Sequence, residues 1–438
     1  MQADLLLSGA RVVDPAQRLD RVADVYVRDG YIWDITSPGE GLPARETIDC
    51  DGLVLCPGLI DMHVHLREPG GAHKETVYTG TRAAVAGGFT AVCCMPNTDP
   101  PLDRPERLAA LHEIIRCDAA CRVYVIAAAI LDRDQERLSD FRALHEAGAV
   151  AVSEDAMPLQ DMHVMAAALE RAEEAQVPFI SHPELESAGG PGVVSDPDVA
   201  GELGVDVMAP EREEWGIRFW KLAARLVGRP LDVTLHFAHI STAAAVEAVR
   251  EIRRDGLIQR VTAETCPHYF TLTARAVLEH GAMAKMNPPL RSADDVEAVK
   301  MALADGTISA IATDHAPHAD DEKAADLAEA PFGIIGLETA VGLVITELVE
   351  RGVLSLAEAI AKMTLQPARI LGLPGGRLDI GGAADITLID PTASWTVDPQ
   401  RFYSKARNTP FAGRTLRGRA VMTIVGGRVV MREGQVLV

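Results

Sequence analysis

Eight short apolar runs that alternate with amphipathic helical stretches, set between two β-rich ends, predict an α/β chain. The fold they describe is a TIM-like (β/α)8 barrel with a small β-sandwich domain built from both termini. At 438 residues the chain has room for one barrel of about 250 residues plus an appendage, or for roughly three ordinary domains. A doubly wound open sheet is the second reading of the same alternation.

Taken in order, residues 1–55 read as short strands parted by turns: DLLL, RVV, ADVYV, a turn at Asp29-Gly30, then YIWDI and LVL. The other end matches, with ADITLID at 384–390 and TIVGGRVVMREG, whose Gly426-Gly427 is a hairpin signal. The expected division is therefore 1–55 plus 375–438 for the small β domain and 56–374 for the barrel. Barrel strands are read at LIDMHVHL (59–66), TAVCCM (90–95), RVYVIAAAI (122–130), AVAVSED (149–155), PFISHP (178–183), DVTLHFAH (232–239), VTAETC (261–266) and ISAIATDH (308–315). Between them lie helical stretches such as DFRALHEAG, HVMAAALERAEEA and STAAAVEAVREIRRD.

With 42 Lys+Arg against 63 Asp+Glu, the net charge of −21 excludes a nucleic-acid binder that works through a broadly basic surface. Seven scattered cysteines, mostly inside apolar runs, point to a reduced, cytoplasmic setting. The start MQADLLLSGARVVD lacks a basic n-region, and no uninterrupted apolar stretch reaches about 18 residues, so neither a signal peptide nor a membrane span is expected.

Ionisable residues recur at one end of the strands: His63 and His65 on the first, Asp155 on the fourth, His182 on the fifth, His239 on the sixth, Asp314 on the eighth. In a barrel those ends share a face. His63, His65 and Arg67 are spaced by two, so an extended chain points all three the same way. One strand histidine is commonly a satisfied core or rim residue; four with two aspartates at the same end are hard to explain by packing, because unpaired buried polar groups are costly. Nitrogen and carboxylate donors without thiolates favour zinc. Six candidates exceed the three protein ligands of a mononuclear catalytic site and would suit two ions sharing a carboxylate. His236 has the opposite parity to His239 and is expected to face away from the barrel axis.

HVHLREPG (63–70), MPNT (95–98), HIST (239–242), KMNPPLR (285–291), ATDHAPH (312–318) and PFGIIGLET (331–339) together resemble dihydroorotases of the bacterial type, within the amidohydrolase superfamily. The resemblance covers nearly the whole chain. It implies that His63, His65 and Asp314 hold one zinc ion, that His182 and His239 hold a second, and that Asp155 bridges them. It also implies that Arg67, Asn97 and His318 grip the unreactive carboxylate of the substrate, that Asn287 meets the ring, and that Phe332 and Gly333 line the same pocket. Where the family tends to have two adjacent Asp followed by Gly, this chain reads Ser153-Glu154-Asp155-Ala156. Alternation lets only one of Glu154 and Asp155 point inward, and the matching position favours Asp155.

Many relatives bridge their metals with a carboxylated lysine, yet none of the seven lysines here lies between Lys74 and Lys221, so the fourth strand must offer an acid. That weighs against hydantoinase-like and allantoinase-like chemistry. The activity implied is reversible closure of N-carbamoyl-L-aspartate to L-dihydroorotate in pyrimidine biosynthesis, with Asp314 passing a proton from the attacking water to the leaving nitrogen. Alternatives are another cyclic amidase, or a non-catalytic homologue partnering aspartate transcarbamoylase; a homo-oligomer is expected. A planar guanidinium at Arg67 suits a carboxylate, and a rim salt bridge to Glu68 is the plain alternative to that role. ADDEKAADLAEA (319–330) reads equally as a mobile lid or as a short solvated helix.

Overall fold

The computed structural model describes residues 2–155 and 157–438, so Ala156 of the departing Ser-Glu-Asp-Ala motif lies outside the described residues. Five strands come first: β1 (Ala3–Asp14), β2 (Leu19–Arg28), β3 (Tyr31–Thr36), β4 (Ala44–Asp49) and β5 (Val54–Pro57). The barrel strands follow: β6 (Leu59–Val64), β7 (Phe89–Cys94), β8 (Arg122–Ala128), β9 (Ala149–Ser153), β10 (Phe179–Ser181), β11 (Leu231–Phe237), β12 (Ile258–Thr265) and β13 (Ala310–Ile311). The chain closes with β14 (Ile386–Thr396), β15 (Thr415–Val425), β16 (Arg428–Arg432) and β17 (Gln435–Val436).

β6 to β13 pair in sequence order, all parallel, and a parallel bridge between Val64 and His315 joins the last to the first. Eight parallel strands thus make a nearly closed barrel. Its interior is packed by Met62, Cys93, Ile126, Ala151, Ile180, Ala238 and Ala310, small and medium side chains that fill the narrow lumen. Outward residues of the same strands, among them Phe89, Val125, Phe179 and Phe237, meet the surrounding helices. The helices are well specified locally. Asp161 accepts hydrogen bonds from the His163 and Val164 amides to start Met162–Ala175, and Thr242 caps Ala243–Asp255, which buries Val246, Val249 and Ile252 and stops at Gly256.

The terminal strands form one nine-stranded sheet, ordered β17-β16-β15-β14-β5-β1-β2-β3, with β4 beside β1. Leu7, Val25, Ile32, Ile386 and Ile424 fill its own core.

The barrel strands end earlier than their apolar runs suggest, so His65, His182, His239 and Asp314 sit just past the last ladder residue. The cause is visible in the backbone: Arg67, His239 and Asp314 have φ of 60°, 38° and 48°, which no strand sustains. This also corrects the expectation for His236. It faces into the barrel, with Nε2 3.3 Å from Oε2 of Glu264, because the alternation counted back from His239 is broken where β11 stops at Phe237. Residues 319–330 hold one short helical turn, Asp320–Lys323, and Lys323 is buried rather than solvated.

Candidate active site

The strand ends bring His63, His65, Asp155, His182, His239 and Asp314 into one buried cluster. Donor atoms of His63, His65 and Asp155 lie within 4.8 Å of one another, as do those of Asp155, His182 and His239. Asp155 is common to both groups. Its Oδ1 is 3.6 Å from Nε2 of His63, 3.6 Å from Nδ1 of His182 and 4.0 Å from Nε2 of His239. Asp314 Oδ1 stands 3.0 Å from Nε2 of His65 and 3.4 Å from Nε2 of His63.

Three of the four rings are oriented by a neighbour that accepts from one nitrogen and leaves the other toward the cluster. His63 donates from Nδ1 to Oε1 of Glu264 at 2.8 Å, and His65 from Nδ1 to Oδ1 of Asn97 at 2.9 Å. His182 donates from Nε2 to Oε2 of Glu184 at 2.9 Å. What faces the cluster is Nε2 of His63 and Nδ1 of His182, both fully buried and without a hydrogen-bond partner; Nδ1 of His239 is orphaned in the same way. Orphaned buried nitrogens are costly unless something binds them. With two carboxylates and no thiolate among them, they fit borderline divalent cations.

Charge in the cluster is strongly coupled. Burial opposes a positive His63, but Asp314, Glu264 and Asp155 push it up to about 10. His182 reaches about 10 against its own burial because of Asp155 and Glu184. His239 goes the other way, down to about 3, through burial and the two neighbouring cationic rings, His182 and His63. Burial would raise the Asp155 and Asp314 carboxyls, yet the surrounding histidines hold both well below the ordinary carboxylate range.

Arg67 stands half-buried at the rim. Its Nε donates to the Pro317 carbonyl at 3.1 Å, and among the described residues no carboxylate pairs with the guanidinium. The Glu68 carboxylate instead accepts from the Val77 amide at 2.7 Å. His318 lies beside Arg67, with Nε2 donating to the Phe332 carbonyl at 2.8 Å. Burial, with Arg67 and Lys74 close by, depresses it to about 3, so the ring is neutral. Gly333 has φ of 129° in this wall, and a Cβ there would come within 2.7 Å of the Ala316 methyl. Asn97 bridges two ligand candidates, donating to Oδ2 of Asp155 at 3.1 Å. Asn287 donates to Oε2 of Glu184 at 3.1 Å, next to His182. A cavity of about 200 Å³ opens beside Asn97 and Asp155, lined also by Arg133, Ile130 and Met157.

Residues 54–430 match the model of the amidohydrolase family. The chain belongs to that family. Among curated amidohydrolase relatives, a dihydroorotase from Pelotomaculum thermopropionicum is 48% identical over 98% of this chain and 99% of that protein. One from Syntrophotalea carbinolica is 46% identical, with the same coverage of both chains. A solved L-hydantoinase (dihydropyrimidinase) from Arthrobacter aurescens is 25% identical, covers 100% of this chain and 98% of its own, and superposes with a TM-score of 0.89. Among the described residues, no helix of this amidohydrolase is long and apolar enough to cross a membrane.

Several residues that shape the site carry no sequence signal of their own. Glu264 was invisible because a lone acid inside an apolar run has no pattern; only the barrel parity of β12 reveals that it points inward beneath His63. Glu184 follows His182 by two, but the strand stops at Ser181, so alternation does not extend to it. Glu154 turns away from the cluster to accept from Ser181 Oγ at 2.7 Å, and burial pushes it up to about 8.

Proposed function

We propose that this amidohydrolase is a dihydroorotase, interconverting N-carbamoyl-L-aspartate and L-dihydroorotate, with two zinc ions per chain held by His63, His65, Asp155, His182, His239 and Asp314. The observation that carries the reading is the Arg67 guanidinium, which no carboxylate among the described residues pairs with, at the rim of a cluster of cation-ready side chains. A substrate with a spare carboxylate satisfies that guanidinium, whereas a hydantoin or dihydrouracil leaves it bare. The dihydroorotases at 46–48% identity support the same choice over the dihydropyrimidinase-type alternative.

When bound, divalent cations at the cluster would acidify a water and polarise the ring carbonyl. The chain's own residues do the rest. Arg67, Asn97 and neutral His318 orient the carboxylate, and Asn287 holds the ring edge. Asp314, kept ionised by His63 and His65, accepts the proton of the attacking water and returns it to the leaving ring nitrogen. In the closing direction the same carboxylate takes the proton from the attacking carbamoyl nitrogen and, with one more proton from solvent, the side-chain carboxyl oxygen leaves as water. We place this chemistry in the barrel, residues 56–374, with residues 1–55 and 375–438 as the smaller unit; a cytoplasmic homo-oligomer that associates with aspartate transcarbamoylase is part of the same reading. The test is turnover of dihydroorotate, dihydrouracil and hydantoin side by side. Preference for dihydroorotate by about 10² or more in kcat/KM is expected, and equal or better turnover of dihydrouracil would overturn the reading.

A further inference from the structure

Beyond the barrel strands, the segment after β14 returns to the site and places Asn408 inside the wall that carries the carboxylate pocket. Asn408 is 1% exposed, and its amide is fully engaged. Oδ1 accepts from the His318 amide at 3.2 Å. Nδ2 donates to the Ala316 carbonyl at 3.1 Å and to the Gly333 carbonyl at 3.0 Å. Its own backbone carbonyl accepts from the Ile335 amide at 2.9 Å. One side chain therefore ties the turn Asp314–His318 to the strip Phe332–Ile335, the two segments that form the proposed grip on the substrate carboxylate.

The two segments also meet directly, the Ala316 amide donating to the Ile334 carbonyl at 2.8 Å and His318 to the Phe332 carbonyl at 2.8 Å, and Asn408 adds the contacts that fix the His318 amide against Gly333. The Asp314–His318 turn leaves β13 through a left-handed residue, Asp314 itself, and Gly333 sits at φ 129° with the Ala316 methyl and carbonyl against it. Such backbone persists only when its surroundings over-determine it. Few other side chains offer one acceptor and two donors at this reach; aspartate keeps the acceptor and loses both donors, and leucine keeps the shape alone.

We infer that Asn408 is a positioning residue for substrate recognition: it sets the separation between His318 and the Phe332–Gly333 wall, and so the aim of the pocket beside Arg67. This rests on the dihydroorotase reading and adds a residue outside the barrel to it. It touches none of the six ligand candidates, so its loss should be felt as recognition rather than as metal loss.

The experiment compares wild type, Asn408→Asp and Asn408→Ala in steady-state turnover of dihydroorotate, with metal content and thermal unfolding measured on the same samples. KM is expected to rise about tenfold or more in both variants while kcat changes far less and bound metal stays as in wild type. Folded, metal-replete variants whose KM is unchanged, or whose kcat falls at constant KM, would overturn the positioning role while leaving the activity assignment intact. If Asn408→Ala does not fold, Asn408→Asp decides the matter by the same split. A wild-type chain that binds metal but turns over no dihydroorotate would overturn the functional reading, and this inference with it.

Discussion

The Glu184 carboxylate lies 2.9 Å from Nε2 of His182, which leaves Nδ1 of that ring directed at Asp155, 3.6 Å away. Arg212, 8% exposed, holds the other carboxylate oxygen at 2.7 Å, so the ring orientation is anchored two residues deep. Partners of this kind raise ligand basicity and fix the tautomer. Glu184→Gln should weaken metal affinity by about 10–100-fold without unfolding the chain, as read by competition with a chelator. Unchanged affinity would show that His182 needs no such support.

Arg67 supplies the carboxylate contact in this account. Arg67→Ala should raise KM for dihydroorotate by about 10² or more, because a charge-assisted bidentate contact is lost, while metal content stays at the wild-type level. An unaltered KM would remove the substrate argument.

Asp314 is assigned proton transfer. Asp314→Asn preserves shape and removes the base, and kcat should fall by about 10²–10⁴ or more. Near-normal kcat in metal-replete protein would refute the assignment.

Glu338, which is not one of the six ligand candidates, gives a stability test. Burial pushes its carboxyl up to about 8, against the Ser404 and Tyr403 amides that it accepts from; the ordinary value is 4.5. Between those two values the folded chain holds a proton that the unfolded chain has released. Its contribution is therefore complete below about 4.5 and is lost as pH climbs through about 8, so stability falls across that window. Denaturant unfolding at a series of pH values should show a shallower decline for Glu338→Gln than for wild type. Parallel curves would contradict the protonated state.

Much of this was legible before any coordinates. Hydrophobic alternation located all eight barrel strands, since a strand buried on both faces is an apolar run wherever it occurs. Convergence of the six ligand candidates followed from their shared position at strand ends. What stayed hidden was set by backbone turns and by long-range contact. The left-handed conformation at His239 broke the alternation and reversed the facing of His236. Asn97 and Asn287, expected at the substrate, also brace Asp155 and Glu184, which no motif distinguishes. Asn408 lies 90 residues from His318 in a segment with no pattern of its own, and only the fold brings it there.

The account stands most directly on one titration: strip the protein with a chelator, return zinc stepwise, and follow N-carbamoyl-L-aspartate cyclisation alongside bound metal. The rate should be absent in stripped protein, rise with bound metal and level off at two ions per chain. Undiminished cyclisation by metal-free protein, or full metal binding with no cyclisation, would contradict it.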